Sequence, residues 1–257
     1  MRYNLRVHVA RFMYRGETLS GEVVDSRFVL TPNGTRLALD AVELLPPCVP
    51  TKLVCVGRNY AEHAAELGNT VPEEPLLFLK PPSALLEPGG AIEYPRYSQL
   101  LNYEGELATV IGRRCRNVPT TRARDVIAGY TVMNDVTARD IQRADKQWTR
   151  GKAFDTSAPL GPWLATDLDA HDVTVRTWVN DELRQDGTTR DLVFRIEHLV
   201  AYVSRVMTLE PGDVIATGTP SGVGELKIGD IVAVEVSGIG KLANTVVAAP
   251  SDPIIDE

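Results

Sequence analysis

Apolar and polar positions alternate with a period of two along much of this chain, in short runs divided by glycine, proline, asparagine and aspartate. Such runs predict half-buried strands, because successive side chains of an extended backbone face opposite ways. The first two, LRVHVARFMY (5–14) and LSGEVV (19–24), are separated by RGET and followed by the turn signal TPNG. They predict a small N-terminal β domain over residues 1–47. The prolines of LLPPCVP (44–50) punctuate its end, since proline fits neither a helix interior nor a central strand. Residues 48–257 are read as one larger domain.

Within that domain KLVCVG, LLFLK, YEGELATVIG and YTVMNDV read as buried strands, and VTVRTWV and LRQDGT as a hairpin across NDE. DVIATG, DIVAVEV and KLANTVV add strands near the C-terminus. A period near 3.6 predicts a helix in NYAEHAAELG, with Asn59 as N-cap and Gly68 as its stop. Further helices are predicted around TRARDVIA and in ARDIQRAD, the longest being RIEHLVAYVSRVM. Residues 146–162 read as irregular. Strands outnumber helices without regular βαβ alternation, which argues against a Rossmann sheet and for a mainly β or α+β fold.

Composition narrows the function. The chain has 257 residues, 44% of them hydrophobic, enough for a substantial core. Its net charge of −7 comes from interspersed signs, with no basic block, which speaks against nucleic acid as a partner. Three cysteines, Cys48, Cys55 and Cys115, show no C-x-x-C spacing and point to a reducing, cytoplasmic setting. No apolar run reaches the roughly 18 residues of a membrane span, and MRYNLRVHVARF lacks a signal-peptide core. The glycines of ATGTPSGVG lack the G-K-[ST] ending of a phosphate loop, so a nucleotide is not expected.

The chemistry begins with Glu104 and Glu106. Two apart in a strand, their carboxylates face the same way, a costly pairing on a half-buried surface. A bound divalent cation would relieve it, and Asp135, at the end of YTVMND, can supply a third oxygen ligand from a neighbouring strand. Three carboxylates suit Mg²⁺, Mn²⁺ or Ca²⁺ better than zinc. His63 and Glu66 stand at i and i+3 of a predicted helix, where a carboxylate can orient an imidazole as a base. Arg139 and Gln142 fall one turn apart. His8, His171 and His198 read as ordinary structural histidines.

VCVGRNYAEHAAELG, FLKP, YEGELATVIG, GYTVMNDVTARDIQ, WTRGKAFDTSAPLGPW, VNDELRQ and GDVIATGTPSGVG together resemble the fumarylacetoacetate hydrolase family, in that family's order from about residue 52 to 247. The N-terminal unit is similar to the extension on bacterial members described as 2-hydroxyhepta-2,4-diene-1,7-dioate isomerases. The resemblance implies a β-roll-like catalytic domain in a homodimer and a divalent cation, Mg²⁺ foremost, on Glu104, Glu106 and Asp135. It also implies an active-site lysine at Lys152, a His63–Glu66 dyad on a mobile lid and a substrate contact from Thr219, while Arg139 and Gln142, from their spacing, are read as contacting substrate or holding the lid. Lys80 matches a further motif to which no role is attached.

The substrates so implied are small 2-oxo or 2-hydroxydienoic acids that react through an enolate stabilised by the cation. Isomerisation of 2-hydroxyhepta-2,4-diene-1,7-dioate (5-carboxymethyl-2-hydroxymuconate) in aromatic catabolism is the favoured reaction. Hydrolysis of a C–C bond in an acylpyruvate or fumarylpyruvate, and oxaloacetate decarboxylation, are the alternatives. A catalytically silent ligand-binding protein is the alternative from another class.

Overall fold

The short runs pair in an order unlike their order along the chain. In the computed structural model, which describes residues 7–251, twelve strands share one sheet, ten along a continuous path and two, Glu43–Leu45 and Leu85–Leu86, paired beside it. Its path runs from Arg36–Ala38 through Phe28–Leu30, Glu17–Val24 and His8–Tyr14 to Ala158–Ala165. It continues through Ile127–Asn134, Gly105–Ile111, Val214–Ala216 and Leu53–Gly57 to Leu76–Lys80. A five-stranded sheet orders Glu182–Thr188, Thr174–Val179, Ile231–Val236, Gly240–Ala248 and Ala91–Tyr94. Thr137–Ala138, Leu101–Tyr103 and Gly224–Leu226 form a third, small sheet. The fold is mainly β with a few helices, as the alternation predicts.

The central strand Gly105–Ile111 is buried at every position, so both its faces are covered. Leu107 and Ile111 enter a large core with Leu199 and Val203 of helix Ile196–Val206 and Val234 and Val236 of the five-stranded sheet. Ala108 and Val110 face the other way, into a smaller core with Cys55, Met133 and Ala216. Glu104 and Glu106 continue this second face. On the first face the two sheets approach so closely at Gly105 that a Cβ there would lie 2.2 Å from Thr177 Oγ1 and 2.8 Å from Val234 Cγ1. Strand His8–Tyr14 pairs with Ala158–Ala165 through His8 opposite Ala165, and Ala10 and Phe12 join the large core.

Several predicted elements take a different form. Residues 146–162 are not irregular throughout: they hold a short helix, Thr149–Lys152, and the start of strand Ala158–Ala165. Pro162 is accommodated in that strand because the pairing with Ile127–Asn134 shifts register between Tyr130 and Val132, relaxing the demand for an N–H there. The segment around TRARDVIA is a 3-10 helix, Thr120–Val126, leading directly into strand Ile127–Asn134. The hairpin turns on Asn180 and Asp181, both left-handed, as a two-residue connection requires.

The helix predicted in NYAEHAAELG spans Ala61–Glu66. Gly68 terminates it with φ +70°, as expected, but Asn59 is not its cap. Fully buried, Asn59 donates to the carbonyls of Phe194 (3.0 Å) and Thr217 (2.7 Å) and accepts the N–H of Phe194 (2.7 Å). Its amide satisfies main-chain groups of two neighbouring segments, something a capping geometry could not do. Asn59→Ala leaves those groups buried and unsatisfied. Urea unfolding is expected to show a loss of about 3 kcal/mol, since each such group costs roughly 1–3 kcal/mol.

Candidate metal centre and active-site cleft

The acidic pair of the central strand meets a third carboxylate through sheet register. Gly105 pairs with Asn134 and Glu106 with Met133, which sets Asp135 across from Glu104. The Asp135 N–H donates to the Glu104 carbonyl (2.8 Å), and the Glu104 N–H donates to Asn134 Oδ1 (3.0 Å). The strand predicted to run unbroken through YEGELATVIG is interrupted at Glu104, yet both carboxylates still lie on one side. Glu104, Glu106 and Asp135 are all buried, and each offers an oxygen within 4.8 Å of the others.

Three buried cations surround them. Lys152 donates to Glu104 Oε2 (2.8 Å) and to Asp135 Oδ2 (2.6 Å). Arg139 donates to Asn102 Oδ1 (3.0 Å), to Gln142 Oε1 (2.6 Å) and to Glu104 Oε1. Lys80, fully buried, donates to the carbonyls of Val136 (3.0 Å) and Ser157 (2.8 Å). Its Nζ also lies 2.8 Å from Asp135 Oδ1, an oxygen that forms no hydrogen bond. The lysine without an assigned role thus completes the charge cluster.

These partners are unevenly shared. Burial alone would raise the Glu104 pKa, but Lys152 and then Arg139 hold it well below the usual carboxylate range. Burial also works against the Lys152 ammonium, yet Asp135 and Glu104 more than offset it and raise its pKa. For Glu106 the compensation, from the Gly218 N–H and the more distant Lys152, is outweighed. Burial pushes its pKa well up, Asp135 and Glu104 push it further, and the N–H of Gly218 at 2.8 Å is its one hydrogen-bond donor. Among the described residues, Glu106 is the member of the trio that pairs with no cation.

The cluster floors a cleft of about 330 Å³, whose walls include His63, Phe78, Trp148, Gln142 and Thr219. The Trp148 ring meets Phe78 edge-on at 5.4 Å, and Lys152 Nζ lies 4.9 Å from the Phe78 ring centre. His63 is 4% exposed, and its Nδ1 makes no hydrogen bond. Glu66 Oε2 is 3.6 Å from that nitrogen, beyond hydrogen-bond range. Burial lowers the His63 pKa, with Glu104 opposing and Arg139 reinforcing, which favours the neutral imidazole. Glu66 instead accepts the N–H of Gly222 at 3.1 and 3.2 Å, while Glu62 accepts the hydroxyl of Ser221 at 3.2 Å. The helix carrying His63 is thereby fastened to the loop after Thr219.

Of the residues singled out in the sequence, Glu104, Glu106, Lys152, His63, Arg139, Gln142 and Thr219 line this cleft, whereas Asp135 lies behind it against Lys152 and Glu66 stands outside it, against His63 and Gly222. Arg139 spends its guanidinium on neighbouring side chains, Glu104 foremost. The Thr219 hydroxyl donates to the Gly105 carbonyl (2.8 Å). Gln185 was given no role by the sequence. It is fully buried, accepts the Gly105 N–H (3.0 Å) and donates to Thr219 Oγ1 (2.8 Å). The signal for it was faint. In LRQDGT, Leu183 turns outward and Gln185 inward, the reverse of what polarity suggests.

The chain matches the family described as "Fumarylacetoacetate (FAA) hydrolase C-terminal" over residues 52–247. Among solved structures it is similar to a 5-carboxymethyl-2-hydroxymuconate delta-isomerase from Mycobacterium smegmatis. That likeness has a TM-score of 0.89 and 44% identity, and covers 95% of this chain and 100% of the other. A fumarylpyruvate hydrolase from Pseudomonas aeruginosa, solved in complex with Mn²⁺ and pyruvate, matches with a TM-score of 0.72 and 35% identity, over 77% of this chain and 90% of that one. The mitochondrial oxaloacetate tautomerase of Arabidopsis thaliana is 46% identical over 75% of this chain and 89% of its own length. With a family match across most of its length and relatives of this similarity, the chain belongs to the fumarylacetoacetate hydrolase family.

Proposed function

We propose that this protein is a divalent-cation-dependent enzyme that relocates a proton within a small 2-oxo or 2-hydroxydienoic dicarboxylic acid, as an isomerase or tautomerase. Glu106 carries this assignment: a buried carboxylate that pairs with no cation among the described residues, on a cleft also lined by the His63 imidazole. Three buried carboxylates face three buried cations. A doubly charged ion would tip that balance positive, and a dianionic substrate would restore it, because buried charge is stable only when compensated.

The donor set fits such an ion. It consists of oxygens only, it is buried, and one oxygen of each carboxylate lies within 4.8 Å of the others. Hard cations such as Mg²⁺ and Mn²⁺ take oxygen ligands of this kind. Glu104, Glu106 and Asp135 would hold it, and the Mn²⁺ and pyruvate in the P. aeruginosa relative support that reading. When bound, the ion supplies Lewis-acid polarisation of a 2-oxo oxygen, offsetting charge that develops as the neighbouring C–H bond breaks.

The remaining residues divide the work by what their atoms still offer. Lys152 has three ammonium donors and spends two on Glu104 and Asp135, which leaves one for a substrate carboxylate. Gln142 accepts from Arg139 through Oε1, so its NH₂ group is free to donate into the cleft. Thr219 uses its only proton on Gly105, so it offers a ligand an acceptor lone pair, which suits an enol hydroxyl. His63, neutral and with Nδ1 unbonded, removes the proton and returns it elsewhere on the substrate. Glu66 is near enough to steady the imidazolium between the two transfers. Phe78 and Trp148 shield this exchange from bulk water.

Turnover assays with a 2-hydroxydienoic diacid, oxaloacetate and an acylpyruvate, before and after EDTA treatment, test this function. The expected result is a proton shift in one of the diacids without C–C cleavage, abolished by EDTA and restored by Mg²⁺ or Mn²⁺. Cleavage of the acylpyruvate as the sole activity would overturn it in favour of a hydrolase. No turnover despite normal ion uptake would indicate a ligand-binding protein. Glu106→Gln should abolish calorimetric Mn²⁺ binding while leaving the metal-free protein at least as stable as the parent, because a buried, undercompensated carboxyl is lost. A steep drop in melting temperature would contradict this.

The pH profile follows from His63. Its pKa is lowered, so the base form persists below the ordinary imidazole value and is lost only as pH falls through the lowered pKa. The acid limb of kcat/KM should therefore lie below about pH 6.5. His63→Ala should remove that limb and cut turnover by about 100-fold or more, with Mn²⁺ affinity unchanged.

A further inference from the structure

We propose that Gln185 is a positioning residue that sets the spacing between the ion-binding carboxylates and the loop receiving the His63 helix. This deepens the metal-dependent function proposed above and rests on it.

Strand Gly105–Ile111 pairs with Val214–Ala216 only from Ala108 to Val110. Beyond Ala108 the ladder lacks a strand neighbour on that side, and Gly105 lies between the two glutamates. Side chains take over there. Gln185 Oε1 accepts the Gly105 N–H (3.0 Å), the Thr219 hydroxyl donates to the Gly105 carbonyl (2.8 Å), and Gln185 Nε2 donates to Thr219 Oγ1 (2.8 Å). The three bonds close a ring around one residue of the ligand strand.

The remaining valences of the amide are also used. Oε1 accepts from the Thr177 hydroxyl (2.7 Å) and Nε2 donates to the Pro220 carbonyl (2.9 Å). Two lone pairs and two N–H groups are all engaged, so the amide has one orientation and no slack. Pro220 leads to Ser221 and Gly222, which bond Glu62 and Glu66 of the His63 helix. A single side chain therefore ties the peptide between Glu104 and Glu106 to the seat of the proposed base.

The packing leaves little room for an alternative. A Cβ on Gly187 would lie 2.4 Å from Pro220 Cβ, and one on Gly222 would lie 2.1 Å from the Arg184 carbonyl oxygen. The hairpin thus meets the loop around Gln185 through the Pro220 ring at Gly187 and through backbone at Gly222. Partners that orient ligating groups typically change ion affinity or activity by about 10–100-fold when removed.

The test compares parent, Gln185→Met and Thr177→Val proteins. Gln185→Met keeps the volume but loses all four bonds. Thr177→Val removes only the hydroxyl that steadies Oε1, at a position outside the cleft. Mn²⁺ binding to each folded protein is measured by calorimetry without substrate, alongside melting temperature, KM and kcat. Gln185→Met is expected to weaken Mn²⁺ binding about tenfold and to raise KM, and Thr177→Val to move both in the same direction by about two- to threefold. Should Gln185→Met fail to fold, Thr177→Val decides alone. Parent-like Mn²⁺ affinity and KM in the folded variants, with only a lower melting temperature, would reduce Gln185 to a stabilising residue and overturn the proposal. If the parent itself took up no Mn²⁺, the metal-dependent function would fail first, and the two failures are thereby distinguished.

Discussion

Everything in this site depends on burying three carboxylates at the junction of two central strands. Taking one such group out of water costs several kcal/mol unless a charge of the opposite sign accompanies it. The fold supplies Lys152, Arg139 and Lys80, drawn from two short helices and an edge strand, at the same spot. Lys152 serves two carboxylates, Arg139 a carboxylate and two side-chain amides, and Lys80 two main-chain carbonyls beside Asp135, so none can be removed without stranding a partner. That mutual dependence explains why lysines 0% and 2% exposed occur in a protein whose other lysines lie mostly at the surface.

The sheet explains how residues so far apart in sequence arrive together. Register sets Asp135 opposite Glu104, and the period of two sets Glu106 beside it. The covered faces of strand Gly105–Ile111 then fix these positions from behind, through the large core on one side and the small Ala- and Val-lined core on the other. The proposed chemistry therefore stands on the most rigid element available, while the proposed base rides on a six-residue helix held by hydrogen bonds to a loop. This division suits a reaction in which charge must be placed accurately and one group must let substrate in.

Much of this was legible in the sequence. Alternation gave the β-rich class, and two glutamates on one face posed a charge problem whose resolution named the centre. The resemblance to a family then attached Lys152, His63 and Glu66 to it. What stayed hidden depended on partners that no local pattern encodes. Asn59 looked like a helix cap because its neighbours fit that motif, yet its amide serves Phe194 and Thr217, more than 130 residues away. The strand Ala158–Ala165 was masked by prolines, of which a register shift accommodates Pro162. Lys80 and Gln185 fell within motifs of that resemblance but had no role attached, because what matters for each is which distant carbonyl, hydroxyl or carboxylate lies within reach.

The two-faced burial of strand Gly105–Ile111 bears on how such proteins diverge. A position walled in on both sides admits few replacements, so the acidic floor of the cleft is effectively frozen. Freedom to vary lies at the rim, at positions such as Asn69, Arg143 and Asp145, which line the opening without supporting a sheet. Relatives named for isomerisation, hydrolysis and tautomerisation can thus share one chassis, with new substrates admitted by repainting the doorway and leaving the foundations alone.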